Sequence, residues 1–235
     1  MTAAYQIAGV KIRVSTIHDG FHVFAGDYRI DGSAWDFEAI TGQGDIDSER
    51  TKSPGESFPD SYIEALAVFR KISERMPEYD AFLFHGSAIS ADGLGCVFAA
   101  PSGTGKSTHA AMWREMLGGR AVMVNDDKPM IRIWTDGAEI FGSPFSGKHN
   151  LGGNIHVPLR AICILRRGAT NHIERVSHSE AYPDILRQTY RPASPLMLAK
   201  TLTLLDRLKD SVSFYRLTCN MNPDAAKVSW EAMRP

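Results

Sequence analysis

Cysteine is scarce in this chain, which has 3 cysteines among 235 residues. Cys96, Cys163 and Cys219 are far apart and lie in or beside apolar runs, so neither a C-x-x-C metal site nor a disulfide framework is indicated. We expect buried, reduced thiols. The histidines show no paired i, i+4 spacing on a clear helix face, which argues against a zinc site.

Long apolar runs and dense basic segments are also missing. The formal net charge is -1 and no Lys/Arg block is present, which argues against nucleic acid as the main partner. No uncharged apolar run is long enough to span a membrane, and the first residues lack the pattern of a secretory signal. We therefore expect a cytoplasmic protein that binds neither nucleic acid nor membranes. Homo-oligomerisation stays open.

The overall composition is that of a globular protein. Hydrophobic residues make up 43% of the chain and charged residues 23%. The length suffices for one sizeable core, or for a core with a small appended subdomain.

The first 80 residues predict a β-rich N-terminal subdomain with a connecting helix. Residues 6–15 alternate between apolar and polar side chains, and residues 21–24 are interpreted as a returning strand. Residues 41–60 have little apolar content, which is typical of a loop. Ser61 and Glu64 have the spacing of a capping box, and a helix from there would end at Pro77.

The segment APSGTGKS at residues 100–107 has the pattern of a phosphate-binding loop and follows the apolar run 96–99. Gly103 and Gly105 would let the backbone approach a phosphate, and Lys106 would supply a mobile cation. Ser107 offers a hydroxyl to Mg²⁺ and opens a helix, whose N-terminus carries partial positive charge. A nucleoside triphosphate is therefore the first ligand to consider.

A second apolar run supports this interpretation. Residues 121–124 end in Asn125, Asp126 and Asp127, and an acidic pair after a strand is where a carboxylate that organises Mg²⁺ would lie. A solvated turn before Lys128 is the alternative.

The remaining pattern favours a mixed sheet, because hairpins interrupt the simple alternation of strands and helices. Residues 82–89 are strand-like and Asp92-Gly93 is a hairpin turn. Further elements are predicted as a hairpin over 130–141, a loop over 142–157 beside the ligand site, a strand over 161–165, a helix over 195–209, a strand over 212–217 and a short helix from 223.

Three motifs together resemble the catalytic domain of HPr kinase/phosphorylase, which is similar to the nucleotide core of phosphoenolpyruvate carboxykinase. They are His85-Gly86-Ser87-Ala88, the phosphate loop and Asn125-Asp126-Asp127. The sequence resembles small HPr-kinase-like proteins of bacteria more closely. Some of these are similar to kinases that tailor lasso-peptide precursors. The resemblance implies an α/β fold, with a P-loop domain of this type over residues 81–235 and the β-rich subdomain over residues 1–80.

The resemblance also implies roles for single residues. Asp126 would be the base that accepts a proton from an acceptor hydroxyl, Asp127 and Ser107 would hold Mg²⁺, and His85 would lie near the outer phosphate of ATP. A strand histidine bonded to a backbone carbonyl is the alternative for His85, and which aspartate is base and which is ligand stays open. The residues expected to hold the nucleotide are Ser102, Gly103, Thr104, Gly105, Lys106, Ser107 and Thr108.

The chain departs from the HPr kinase pattern in one respect. Glu139 lies where an additional Mg²⁺ ligand could be, but the Glu-x-Arg-Gly-Leu-Gly signature is absent, and an exposed strand residue is favoured. This departure argues against HPr as the acceptor and against a reverse phosphorylase reaction. Cations that could clamp phosphate or substrate are Lys148, Arg160, Arg166 and Arg167.

We expect an ATP-dependent kinase that phosphorylates a hydroxyl on a peptide, a protein or a small molecule. One alternative is a nucleotide-binding switch or ATPase that phosphorylates no acceptor. His85 and the acidic pair favour chemistry over binding alone, because binding needs chiefly the loop and its lysine. A carboxykinase-type lyase is disfavoured because those enzymes are much longer.

Overall fold

A computed structural model describes residues 1–52, 57–147 and 149–234. Its strands are β1 (Thr2–Ile7), β2 (Val10–Ser15), β3 (Arg29–Ile30), β4 (Phe37–Ile40), β5 (Ala81–Leu83), β6 (Ser87–Ala91), β7 (Leu94–Ala99), β8 (Ala121–Asn125), β9 (Met130–Ile133), β10 (Ala138–Phe141), β11 (His156–Arg167), β12 (His172–Val176) and β13 (Ser213–Cys219). Its helices are α1 (Gly20–Phe24), α2 (Gln43–Arg50), α3 (Asp60–Arg75), α4 (Lys106–Leu117), α5 (His178–Gln188), α6 (Pro195–Arg207) and α7 (Asp224–Met233).

The N-terminal strands form a small sheet in the order β3-β1-β2-β4. β1 and β2 are an antiparallel hairpin, and β4 adds to β2 in parallel. The alternation predicted for β2 is confirmed, because Val10, Ile12 and Val14 are buried while Lys11 is exposed. The buried face packs into a core with α3.

The remaining strands form a large mixed sheet with a path β5-β9-β10-β11-β7-β6-β8, to which β13 and β12 are added. β11 is shared between neighbours: its first residues pair with β10, and its later residues pair in parallel with β7 and β13. The predicted α/β class with a mixed sheet is confirmed. The Asp92-Gly93 hairpin is also confirmed, with positive φ angles of 50° and 81° at its two turn residues.

The prediction of a strand at residues 21–24 is wrong, since these residues form the one-turn helix α1. A strand would place Phe21 and Val23 on the same face. Instead Phe21 is buried edge-on against Tyr5, with ring centroids 5.4 Å apart, and Val23 is 72% exposed. The helical bonds from Val23 N to Asp19 O and from Ala25 N to Phe21 O replace a strand ladder.

The prediction of a loop over residues 41–60 is wrong in part, because it contains α2; residues 53–56 of that prediction lie outside the described residues. Tertiary contacts stabilise this helix. Ile46 is fully buried, and the Glu49 carboxylate accepts two hydrogen bonds, of 2.6 and 2.7 Å, from the guanidinium of Arg70 on α3. Such contacts override a weak helix propensity.

The capping box predicted at Ser61 and Glu64 does not form. Helix α3 begins at Asp60, with Pro59 as its N-cap residue. The Glu64 carboxylate instead accepts hydrogen bonds from the backbone N–H groups of Ile17 and His18, at 2.8 and 2.7 Å. It thereby fixes the turn between β2 and α1.

The strand-like segment 82–89 is interrupted, because its two ends serve different partners. β5 pairs with β9, whereas β6 pairs with β7 and β8. At the crossing, Phe84 N donates to Pro129 O and Gly86 N donates to Asp127 O. A Cβ at Gly86 would lie 2.8 Å from Val97 Cγ1, so this close approach requires glycine.

The core of the small sheet continues into the large one. One cluster of buried side chains joins β1, β2 and α3 to Ala81, Leu83, Met130 and Phe141. Hydrogen bonds also cross, including Arg132 Nη1 to Ala8 O at 2.8 Å. The division of the chain at residue 80 therefore stays a proposal. Within the described residues, no helix combines the length and apolar character that crossing a membrane would require.

Candidate functional site

The loop at residues 100–105 connects β7 to α4. Gly103 and Gly105 have φ angles of 76° and 118°, which side chains rarely adopt, and a Cβ at either position would meet nothing within 4 Å. These two backbone conformations would strain any residue other than glycine. Both positions face open space, which leaves room for a ligand. Because α4 begins at Lys106, the first N–H groups of the helix lack intrahelical partners and can bind an anion.

Lys106 is the first residue of α4, and its side chain contacts the start of this loop. The residue is buried, and its Nζ donates to the carbonyl of Ala100 at 2.9 Å. Burial lowers its pKa, and the carboxylates of Asp127 and Asp126 act in the opposite direction.

Asn125 organises the acidic turn after β8. Its Oδ1 accepts hydrogen bonds from the backbone N–H groups of Asp127 and Lys128, at 2.9 and 2.7 Å. Its Nδ2 donates to the carbonyls of Ser143 and Phe145, at 3.1 and 3.2 Å. One fully buried amide thus fixes both the acidic turn and the start of the loop over residues 142–155.

The two aspartates have different surroundings. Asp126 is 8% exposed, and its Oδ1 accepts a hydrogen bond of 2.6 Å from the Ser87 hydroxyl. The side chain of Asp127 is 28% exposed, lies 2.7 Å from the Lys128 ammonium group and is 3.4 Å from His85 Nε2. The structure therefore provides one carboxylate that is fixed by a neutral donor and one that is more open and paired with Lys128.

His85 lies on the connection between β5 and β6. Its backbone N–H donates to the carbonyl of Gln188 at 2.7 Å, and its ring faces Asp127. Burial and the Lys106 charge lower the pKa of His85 and so favour the neutral ring, while Asp127 opposes them.

A cavity of about 400 Å³ brings these residues together. Of the residues assigned to catalysis, nucleotide binding and Mg²⁺, Thr104 is absent from its lining, and it lines a neighbouring cavity instead. Gly147 and His149 also line it and were not predicted, although the loop over 142–157 that carries them was expected beside the site. The lining consists of His85, Ser102, Gly103, Gly105, Lys106, Ser107, Thr108, Asp126, Asp127, Gly147 and His149.

The neighbouring cavity, of about 490 Å³, lies on the other side of the phosphate loop. It is bounded by the loop, the first turns of α4 and the ends of β11 and β13, and its surface is more apolar than polar. Burial lowers the pKa of His109 to about 4, so this part of the lining is uncharged. The lining consists of Gly103, Thr104, Gly105, Thr108, His109, Met112, Leu165, Arg167, Gly168, Cys219, Asn220 and Met221.

The additional Mg²⁺ ligand and the phosphate clamps considered from the sequence do not line the main cavity where the structure describes them. Glu139 accepts a hydrogen bond from Trp134 Nε1 at 2.6 Å and lies 3.2 Å from His156 Nδ1, so it is engaged on β10. Arg166 is paired with Asp184, and Arg160 is exposed. Arg167 Nη2 donates to the carbonyl of Gly103 and thus touches the phosphate loop. Lys148 lies outside the described residues.

The donors at the main cavity suit Mg²⁺ better than a transition metal. The exposed Ser107 hydroxyl and the Asp127 carboxylate both line it, and Mg²⁺ prefers hard oxygen ligands, of which one or two carboxylates suffice beside phosphates and water. Among the residues that the structure describes, no three His, Cys, Asp or Glu side chains converge on a metal position. The residues present fit Mg²⁺ held jointly with a bound phosphate.

Comparisons with known proteins give a distant structural likeness. No family model matches the sequence, and no curated protein does. The fold is similar to the HPr(Ser) kinase/phosphatase from Coxiella burnetii, with a TM-score of 0.31 and 14% sequence identity, over 55% of this chain and 97% of that one.

Proposed function

We propose that this protein is an ATP-dependent kinase that transfers the γ-phosphate to a hydroxyl group of a peptide, a protein or a small molecule. The observation that carries the proposal is one cavity lined by the glycine loop, Lys106, the two aspartates and His85. Phosphoryl transfer asks the protein to position two reactants and to neutralise charge, and these groups suit both tasks.

The phosphates of ATP would lie against the loop. The N–H groups at the start of α4 and the Lys106 ammonium would bind the outer phosphates, and the positive φ angles of Gly103 and Gly105 leave room for the close approach. The nucleoside would occupy the more apolar cavity across the loop, where Met112 and Leu165 could contact the base.

Mg²⁺, when bound, would neutralise charge on the transferred phosphate. Ser107 and Asp127 are the residues that we assign to it, because both line the cavity next to Lys106. Asp127 is the more exposed aspartate, which leaves its carboxylate accessible to an ion. His85, neutral and 3.4 Å from Asp127, would donate a hydrogen bond towards the outer phosphate.

Asp126 is the residue that we assign as the base. Ser87 donates to its Oδ1, so Oδ2 is the oxygen that we assign to the proton of the acceptor hydroxyl. The hydrogen bond would hold the carboxylate plane in place while Oδ2 orients the hydroxyl and accepts its proton. The motif resemblance to HPr kinases favours the same division between Asp126 and Asp127.

Two substitutions at the site test this assignment. We expect Lys106→Ala to abolish transfer and to weaken ATP binding by about tenfold or more, because a phosphate-binding cation is lost. We expect Asp126→Asn to lower transfer by about 100-fold or more while the Kd for ATP stays within about twofold. Calorimetric Kd values and transfer rates should be measured on the same preparations, with Asp136→Asn in an exposed turn as the control. Equal loss of ATP affinity in both site variants would refute a base role for Asp126.

A further inference from the structure

Gln188 ends helix α5 directly behind His85. Its carbonyl accepts the hydrogen bond of 2.7 Å from the His85 backbone N–H. Two residues later, Tyr190 N donates to Leu83 O at 2.9 Å, and Thr189 forms an isolated bridge with Phe84. The end of α5 therefore runs alongside the segment that carries His85.

The Gln188 side-chain amide faces acceptors. Its terminal nitrogen lies 3.2 Å from His85 Nδ1, 3.2 Å from Ala100 O and 3.3 Å from His85 O, once the amide is oriented to satisfy its surroundings. An amide oxygen in that position would meet only other acceptors, so the hydrogen-bond network assigns the NH₂ group to it. Of these three contacts, those to His85 Nδ1 and Ala100 O are the shorter, and the two amide hydrogens can serve them.

This contact determines which ring nitrogen of His85 carries the proton. A nitrogen that accepts from an amide N–H must be unprotonated, so this hydrogen bond leaves Nε2 as the ring nitrogen that carries the proton. Nε2 is the nitrogen that lies 3.4 Å from Asp127 Oδ1 and faces the cavity. The N–H of the ring is thus directed at Asp127, beside the cavity in which we place the outer phosphate.

The same amide reaches the phosphate loop. Ala100 O, which accepts from Gln188, also accepts the Lys106 ammonium at 2.9 Å. Gln188 and Lys106 therefore share the Ala100 carbonyl as an acceptor, and Gln188 also contacts the His85 ring.

Helix α5 is a rigid support for this arrangement. It begins with a capping box between Ser177 and Glu180, and Ala181 and Ile185 are fully buried in the core of the large sheet. The backbone of Gln188 is therefore already fixed by the fold when its side chain forms these hydrogen bonds.

We propose that Gln188 is a positioning residue for phosphoryl transfer, in which its amide fixes the His85 ring with Nε2–H towards the outer phosphate and ties that ring to the carbonyl that holds Lys106. The kinetic part of this inference rests on the proposed kinase function. The hydrogen bond and the tautomer do not, and they can be observed in the free protein.

The first test is nitrogen NMR of the wild-type protein labelled with ¹⁵N, at a pH where the His85 ring is neutral. We expect an unprotonated Nδ1 with a scalar coupling across the hydrogen bond to the Gln188 side-chain nitrogen. A proton on Nδ1, or a Gln188 amide without this coupling, would overturn the proposal. This measurement needs neither a variant nor enzymatic activity, so its result does not depend on whether the protein is a kinase.

The second test is a double-mutant cycle on transfer with Gln188→Met and His85→Ala. Methionine keeps the length of the side chain and removes the amide, while the backbone bond from His85 N to Gln188 O is unaffected. We expect Gln188→Met to lower kcat by about tenfold with the KM for ATP within about twofold, and to have no further effect in the His85→Ala background. Arg187→Met, with a side chain 63% exposed on the same helix, is the control.

Full additivity of the effects of Gln188→Met and His85→Ala would overturn the proposal. Absence of transfer in the wild type, with the NMR coupling present, would refute the kinase function and not the contact.

Discussion

The Ser87 hydroxyl donates a hydrogen bond of 2.6 Å to Asp126 Oδ1, and this contact joins β6 to the turn that follows β8. Both residues are buried, so the bond forms in a region of low dielectric and holds the carboxylate in one orientation. Ser87 belongs to the His-Gly-Ser segment of the sequence, and its position explains why a serine in that strand matters to an aspartate 39 residues later.

Ser87→Ala should separate orientation of the base from nucleotide binding. Without the hydroxyl, the Asp126 carboxylate loses its fixed plane, and we expect transfer to fall by about tenfold while the Kd for ATP stays within about twofold. Ser90→Ala, in the same strand and away from the acidic pair, is the matched control. Wild-type transfer in Ser87→Ala would contradict the role given to the bond.

Gly105→Ala tests the backbone conformation of the loop. At a φ of 118°, alanine is strained although its Cβ would have space, so the loop must change shape or store about 1–3 kcal/mol. We expect ATP affinity to fall by about tenfold or more. Gly119→Ala, also with open space and without a positive φ, should leave ATP affinity unchanged. Calorimetric titration with ATP measures both variants, and equal affinities would count against the loop geometry.

Glu64 should give stability a defined pH dependence. Burial alone would raise its pKa, but hydrogen bonds from the Thr41 hydroxyl and the N–H groups of Ile17 and His18 outweigh it and lower the pKa. Because the folded-state pKa lies below the unfolded value of about 4.3, the stabilisation is present above that pH and is lost as the pH falls through the folded-state value.

Glu64→Gln should therefore lower the free energy of unfolding by about 1–3 kcal/mol at neutral pH, and the difference from wild type should shrink below about pH 4. Urea unfolding at several pH values measures it. Glu38→Gln, at an exposed ion pair with Arg13, should change stability by less than about 1 kcal/mol. A difference for Glu64→Gln that is constant or grows on acidification would show that the carboxylate is not held as described.

Cys219 tests the position proposed for the nucleoside. It lines the cavity across the loop and is partly exposed, whereas burial raises the pKa of Cys96 to about 12 and that of Cys163 well above its usual range. Burial also raises the pKa of Cys219, so alkylation by iodoacetamide should be carried out at about pH 9.

We expect iodoacetamide to modify Cys219 first, and saturating ATP to slow the reaction by about fivefold or more. Inorganic tripolyphosphate, which lacks the nucleoside, should give little protection. Peptide mapping identifies the modified thiol. Equal protection by both ligands would place the nucleoside elsewhere.

The order of β7, glycine loop, α4, β8 and acidic pair could be predicted from the sequence, because each part depends on neighbours in the chain. Gly103, Gly105 and Lys106 are defined by spacing within 8 residues, and the apolar runs on either side are typical of buried strands. The His85 segment could be placed nearby only through the motif resemblance, since its contacts with Asp127 and Gln188 cross the sheet.

What could not be predicted depends on distant contacts. Residues 21–24 are apolar enough for a strand, and the helical turn that they form instead depends on the packing of Phe21 on Tyr5, which is distant in sequence. Helix α5 was not predicted, since Pro183 lies inside it, although the capping box of Ser177 and Glu180 was a usable signal. Because α5 was missing from the prediction, Gln188 could not be expected beside His85.

The most direct test of the kinase proposal follows the label of γ-phosphate-labelled ATP incubated with Mg²⁺, the wild-type protein and a peptide library that varies the position of serine, threonine and tyrosine. The account predicts label on a hydroxyl of a peptide or of a small compound, with transfer lowered by about 100-fold or more in Asp126→Asn at unchanged ATP affinity. Label released only as inorganic phosphate from wild-type protein, with the peptide library and with small hydroxyl compounds alike, would contradict it.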